Sequence, residues 1–178
     1  MGERREPKSA DERETTGAGA LDPITGLGRG AAALVIGKSA GERESVARAV
    51  HRSYRGADGP FLRVQCAQEE SLLKQALEGW LAGSAGESSP RLLTRLESGS
   101  LFLDGIEALG TETQQLLSAF FARIDEEAEG TPWKGQLIAG TEGLLRQAVM
   151  AGRFDVELAN RLERVRIVLD PDQAGSEV

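Results

Sequence analysis

One cysteine and one histidine are all the thiol and imidazole chemistry in this 178-residue chain. Cys66 and His51 cannot supply a disulfide framework, a four-ligand zinc site or a Cys-His catalytic pair with a spare ligand, so metal chemistry built on nitrogen and sulfur is excluded. Long apolar runs are missing too: no stretch approaches the roughly 18 residues a membrane helix needs. The N-terminus, MGERREPKSADERETT, lacks the apolar core of a signal peptide. A cytoplasmic protein that neither spans nor binds a membrane is the expectation. Positive charge is in deficit, with 21 Lys and Arg against 28 Asp and Glu and a net charge of −7. That balance repels a phosphate backbone unless basic residues cluster, so nucleic acid is not an expected direct partner.

What remains is an ordinary globular composition, 40% hydrophobic and 28% charged, in a chain long enough for one domain to bury most of its unfolded surface. Residues 1–20 alternate in charge and carry no large apolar side chain, which predicts a disordered tail ahead of a single domain at 21–172 and a flexible end at 173–178. AAALVIG, ending at Gly37, reads as a buried strand. A helix over 42–54 follows, with Val46, Ala47, Val50 and Tyr54 on one face. The alternation continues through a strand at 61–64, a helix at 69–78 with Leu72, Leu73, Ala76 and Leu77 inward, and a helical piece at 91–97. SLFLD at 100–104 is a strand apolar on both faces, and 113–124 a helix with Leu116, Leu117, Phe120, Phe121 and Ile124 in one stripe. Further strands at 136–139 and 165–169, with helices at 141–150 and 155–161 between them, complete a three-layer α/β/α sandwich on a five-stranded parallel sheet. Ligands in such a sheet sit beyond the strands' carboxyl ends, which directs attention to the turns after Ile36, Asp104 and Ala139.

Four blocks in these places carry a resemblance: LVIGKSAGERESVARAVHRSYRGADGPFLRVQCA from Leu34 to Ala67, SGSLFLDGIEAL at 98–109, LIAGT at 137–141 and AGRFDVELANRL at 151–162. In this order, over about 31–171, they resemble the AAA+ domain of sigma-54-dependent transcription activators, the bacterial enhancer-binding proteins. The first block matches L-I-x-G-E-S-G-T-G-K-E-x-V-A-R-A-I-H followed by G-P-F-x-x-V-N-C-A. The resemblance implies the large subdomain of a P-loop nucleotidase. It also implies a nucleotide site at Gly37, Lys38, Arg43 and Glu44, with Asp104 where the family holds magnesium and Arg161 where the second of two trans-acting arginines stands.

The chain departs from that pattern at each catalytic element. Glu42 and Arg43 stand where the family has its second glycine and its phosphate-binding lysine. A carboxylate about 4 Å from a phosphate charge costs about 4 kcal/mol at an effective dielectric of about 20, or about a thousandfold in affinity. Arg43 keeps the charge but not the shape of lysine. Gly105 replaces the glutamate that activates water, a loss of about a hundred- to ten-thousand-fold, and Glu107 substitutes for it only if the backbone bends back. Glu142 stands at the sensor asparagine and Asp155 at the first arginine. The sigma-contacting loop is replaced by GWLAGSAGESSP at 79–90, and the expectation is a domain without the family's helical lid and helix-turn-helix after LDPD.

The expectation is therefore a catalytically inactive AAA+-like domain with no catalytic residues, no metal and no ATP or magnesium cofactor, a monomer or small oligomer serving as a protein-interaction or regulatory module in bacterial signalling or transcription. Competing readings are a weak or conditional ATPase completed by oligomerisation or by an active homologue, and a nucleotide sensor without hydrolysis. Asp104 reads as a strand-end cap accepting N–H bonds rather than a magnesium ligand, and His51 and Cys66 as packing residues. Arg161 reads equally as a reach to a neighbouring subunit or as a solvated charge beside Arg164 and Arg166. Trp80 and Leu81, just past a helix end, read as a core edge with a partner surface as the alternative, and Asp125, Glu126, Glu127 and Glu129 as a solvated helix end.

Overall fold

The computed structural model describes residues 32–54, 58–83, 92–126 and 133–169. The expected tail at 1–20, the domain limits at 21 and 172, the C-terminal end at 173–178, most of the 79–90 stretch, and Glu127 and Glu129 lie outside the described residues.

Strands β1 (Ala32–Ile36), β2 (Phe61–Gln65), β3 (Ser100–Asp104), β4 (Gln136–Thr141) and β5 (Arg166–Val168) form one sheet in the order β2-β3-β4-β1-β5. Every neighbouring pair is parallel. Three central strands, β1, β3 and β4, are buried at every position, which is why their segments read as near-continuous apolar runs. Register places Gln65 opposite Asp104, Asp104 opposite Gly140 and Ile36 opposite Thr141. The carboxyl ends of β1 to β4 are thereby level, and the turns leaving them meet at one edge.

Helix α1 (Ala40–Ser53) covers one face, where Ala47 and Val50 pack with Val35, Phe102, Ile138 and Ile167. Its start is set by Ser39, whose hydroxyl accepts from the Glu42 N–H at 3.3 Å, satisfying one of the orphan donors of the first turn. The other face carries the larger core, including Leu34, Val64, Leu103 and Leu137. Helices α2 (Cys66–Leu81), α3 (Leu92–Arg95), α4 (Thr111–Glu126), α5 (Leu145–Met150) and α6 (Val156–Leu162) cover it with Leu73, Leu77, Leu93, Leu117, Phe120 and Leu162, among others. Each such side chain taken fully out of water contributes about 1.5–3 kcal/mol. The expected three-layer α/β/α sandwich is the observed one.

Several local expectations give way to packing. Helix α2 begins at Cys66 with non-helical dihedrals at Glu69, and its buried stripe is Leu73, Ala76, Leu77 and the partly buried Trp80. Leu72, about 100° off that stripe, is 37% exposed rather than inward. Trp80 and Leu81 form the last turn of α2 instead of following it. Tyr54 is not on the inner face of α1 but beyond its end in extended backbone, with its hydroxyl donating to the Lys134 carbonyl at 3.0 Å. Thr141 belongs to β4 because it pairs with Ile36, so the following helix starts only at Leu145.

Candidate functional site

The turn from β1 into α1 is held tightly. The Gly37 N–H donates to the Thr141 carbonyl at 3.0 Å, and a Cβ at Gly37 would lie 2.9 Å from Leu169 Cδ1, so any larger residue there would have to displace the Leu169 side chain. Because Ser39 starts the helix, Arg43 falls in its early turns and folds inward, only 3% exposed. Its Nη1 donates to the Gly37 carbonyl at 2.6 Å and to the Lys38 carbonyl at 3.2 Å, and its Nε to Asp104 Oδ1 at 2.7 Å. The side chain thus bridges the turn backbone and the end of β3, and two turn carbonyls aim at it. Lys38, Ser39 and Glu42 are exposed, and Glu44 pairs with Arg48 one turn on, at 2.7 Å.

Asp104, 2% exposed, does not cap the strand end as expected. Its carboxylate is taken by two guanidinium groups: Oδ1 accepts from Arg43, and Oδ2 from Arg63 Nη2 at 2.7 Å. Arg63 had no place in the sequence reading. It lies on β2 opposite Phe102, so Asp104 is its diagonal neighbour, within reach of a long side chain on the same face. Parity was the available signal, since Arg63 and Asp104 share the face of α1 once the strands are aligned. Glu44 Oε2 stands 3.5 Å from Arg63 Nη1 and completes the chain of charges. Burial alone pushes the Asp104 carboxyl up, but the hydrogen bonds and charges of Arg43 and Arg63 outweigh it and hold the group below the usual carboxylate range. The bond to Asp104 in turn raises Arg63 above its ordinary value.

At the next position the backbone does bend back. Gly105 has φ +71°, and Ile106–Ala108 form a single 3-10 turn. The result is not a carboxylate poised over Asp104. Glu107 Oε1 accepts from the Glu142 N–H at 3.1 Å, tying the end of β3 to that of β4, while Oε2 is buried without a hydrogen-bond partner among the described residues.

With this geometry in place, comparison with known proteins is direct: residues 25–168 match the Sigma-54 interaction domain family. The chain belongs to that family. It is 34% identical over 146 residues to the C4-dicarboxylate transport transcriptional regulatory protein DctD of Pseudomonas aeruginosa, covering 78% of this chain and 32% of the relative. It is 35% identical over 153 residues to the regulatory protein AtoC of Escherichia coli, covering 79% and 32%. The chain therefore spans about a third of the length of these curated relatives. The fold is shared with NtrX from Brucella abortus in complex with ATP, at a TM-score of 0.66 and 23% identity over 89% of this chain and 37% of that one. It is shared as well with the P-loop NTPase domain of the Sigma-54 transport activator from E. coli, at 0.52 and 19% over 79% and 95%.

Elsewhere in this sigma-54 interaction domain the expected site residues have local duties. Arg161 does not join Asp104: it forms a bidentate pair with Asp125 on α4, with Nη2–Oδ1 at 2.9 Å, and lies 4.4 Å over the Phe121 ring. That pair holds the Asp125 carboxyl below its ordinary value, so this end of α4 is engaged rather than merely solvated. Asp155 caps α6, accepting from the Leu158 N–H at 2.7 Å. Trp80 stands edge-on to Phe120 at 4.7 Å beneath Arg123, whose Nη1 donates to the Leu81 carbonyl at 2.8 Å, so Trp80 and Leu81 close the core edge. His51 shares a 2.8 Å hydrogen bond with Ser100 and stacks edge-on against Phe61. Cys66 is fully buried, and burial pushes its thiol far above its usual range. Among the described residues no cluster of three or more His, Cys, Asp or Glu side chains is placed to hold a metal ion, and no helix is long and apolar enough to cross a membrane.

Proposed function

We propose that this member of the sigma-54 interaction family is a pseudo-ATPase, an AAA+-type fold kept as a protein-interaction or regulatory module in bacterial transcription control or signalling. The observation that carries the reading is the Arg43 side chain, bonded at once to the Gly37 and Lys38 carbonyls and to Asp104. A phosphate cradle needs converging backbone N–H groups and a free cation. Here the cation is spent inside the protein and carbonyls face it. A hard divalent cation needs anionic or carbonyl oxygens that are free to coordinate, and both Asp104 oxygens accept guanidinium bonds. The residues present do not fit a magnesium nucleotide. Glu42 at the turn adds repulsion, and Glu107 spends one oxygen on the Glu142 N–H.

The ion pairs among Arg43, Arg63 and Asp104 tie α1 and β2 to the end of β3 with groups of the chain itself. A partner would accordingly meet a surface whose shape does not depend on ATP. Completion of a working site between subunits finds no support in Arg161, which is held by Asp125 of its own chain. Calorimetric titration of ATP and ADP with magnesium into the purified protein tests the proposal. The expected result is no binding heat up to millimolar ligand; saturation at micromolar ligand, or turnover that disappears in Asp104→Ala, overturns it.

A further inference from the structure

We infer that Arg63 is a second, independent lock on this site, one that guards Asp104 against a divalent cation and acts apart from the altered phosphate turn. The inference rests on the reading above and deepens it. Arg43 accounts for only one carboxylate oxygen, Oδ1; the other, Oδ2, is held by Arg63 at 2.7 Å. The two arginines arrive from different elements, 61 and 41 residues before Asp104 in sequence, so restoring lysine at position 43 leaves the β2 arginine where it is. Its guanidinium lies between the carboxylates of Asp104 and Glu44. Arg63 Nε is buried without a hydrogen-bond partner among the described residues, a cost that the Nη2 bond to Asp104 and the neighbouring Glu44 carboxylate offset.

Charge decides the consequence. A dication approaching Asp104 meets a guanidinium already bonded to the same buried carboxylate, with the Arg63 side chain itself 32% exposed. Phosphates approaching the turn meet the exposed Glu42 and a backbone whose carbonyls Arg43 holds from inside. The two locks therefore overlap only at Oδ1: residues 42 and 43 bear on the anion, residue 43 also holds Oδ1, and residue 63 bears on the metal alone.

ADP binding, measured calorimetrically with magnesium and again with EDTA, separates them. The proteins compared are the unsubstituted chain, the double variant Glu42→Gly with Arg43→Lys, and a triple variant that adds Arg63→Ala. Thermal melts check folding, and Arg63→Gln replaces Arg63→Ala if the alanine form does not fold. The double variant is expected to bind ADP with no more than about two-fold dependence on magnesium, or not at all, and the triple variant to bind about ten-fold or more tightly with magnesium than with EDTA. The inference is overturned if the double variant already shows the metal dependence of the triple one, or if removing Arg63 alters neither affinity nor metal dependence. Failure of the pseudo-ATPase reading is a different result, micromolar magnesium-ADP binding by the unsubstituted chain.

Discussion

Replacing Arg43 with alanine removes the buried guanidinium that bridges the Gly37–Lys38 turn and Asp104, and the structure sets the size of the effect. Arg43 is 3% exposed and Asp104 2%, so this is a buried pair, and breaking such a pair from one side costs about 3–5 kcal/mol when the remaining charge is left alone. Asp104 is not left alone, because Arg63 still donates to Oδ2, which moves the expectation to about 2–3 kcal/mol. The Gly37 and Lys38 carbonyls lose a donor as well, at about 1 kcal/mol together, since the turn lies close to water. A total of about 3–4 kcal/mol follows, or about 10 °C in Tm for a domain of this size. Urea titration followed by the fluorescence of Trp80 and Trp133 measures it, with an unchanged m value as the sign that both forms unfold alike.

The same pair carries a pH signature. Folding depresses the Asp104 carboxyl below its ordinary 3.8, so its stabilising contribution is complete above that value and is lost as pH falls through the folded one. In Arg43→Ala only Arg63 opposes the effect of burial, and the depression shrinks. The stability difference between variant and parent should be widest near pH 7 and should narrow below about pH 4. A variant within about 0.5 kcal/mol of the parent at neutral pH, or a difference that stays constant through the acid range, would refute the reasoning.

Two further outcomes follow from other parts of the fold. Trp133 is fully buried against Phe120, and its indole N–H donates to the Leu93 carbonyl at 2.9 Å; Trp133→Ala should destabilise by about 3–5 kcal/mol in chemical denaturation, whereas Trp133→Phe should lose less. Gly105→Ala meets no atom within 4 Å but forces a side chain onto φ +71°, so a loss of about 1–2 kcal/mol is expected with native circular dichroism, and an unchanged stability would mean that the turn relaxes.

The layers of the fold were legible in the chain because periodicity reports burial. AALVI and SLFLD are buried at every position, and Leu117, Phe120, Phe121 and Ile124 do form the inner stripe of α4. Boundaries were less legible where packing overrides local signals. Thr141 extends β4 because Ile36 pairs with it, and Leu72 faces out because the stripe of α2 runs one residue on. Within the site, the departures from the resembled family pattern at Glu42, Arg43, Gly105, Glu142 and Asp155 were visible by position, but what these residues bond to was not. Asp155 caps α6, and Glu107 reaches Glu142 only because Gly105 takes a left-handed turn.

By itself, then, the order of residues determined which elements form, which faces they bury and which family the chain resembles, since each of these depends on spacing along a few turns or strands. What Asp104 bonds to was decided only by the tertiary structure. Its partners come from α1 and β2, and nothing local to SLFLD selects a guanidinium over a backbone N–H or a cation. The register that sets Arg63 diagonally across from Asp104, and the turn at Gly37 that folds Arg43 beneath it, bring two positive charges to one buried carboxylate. Coulomb attraction does the rest, and it acts on distance in space, which a sequence does not contain.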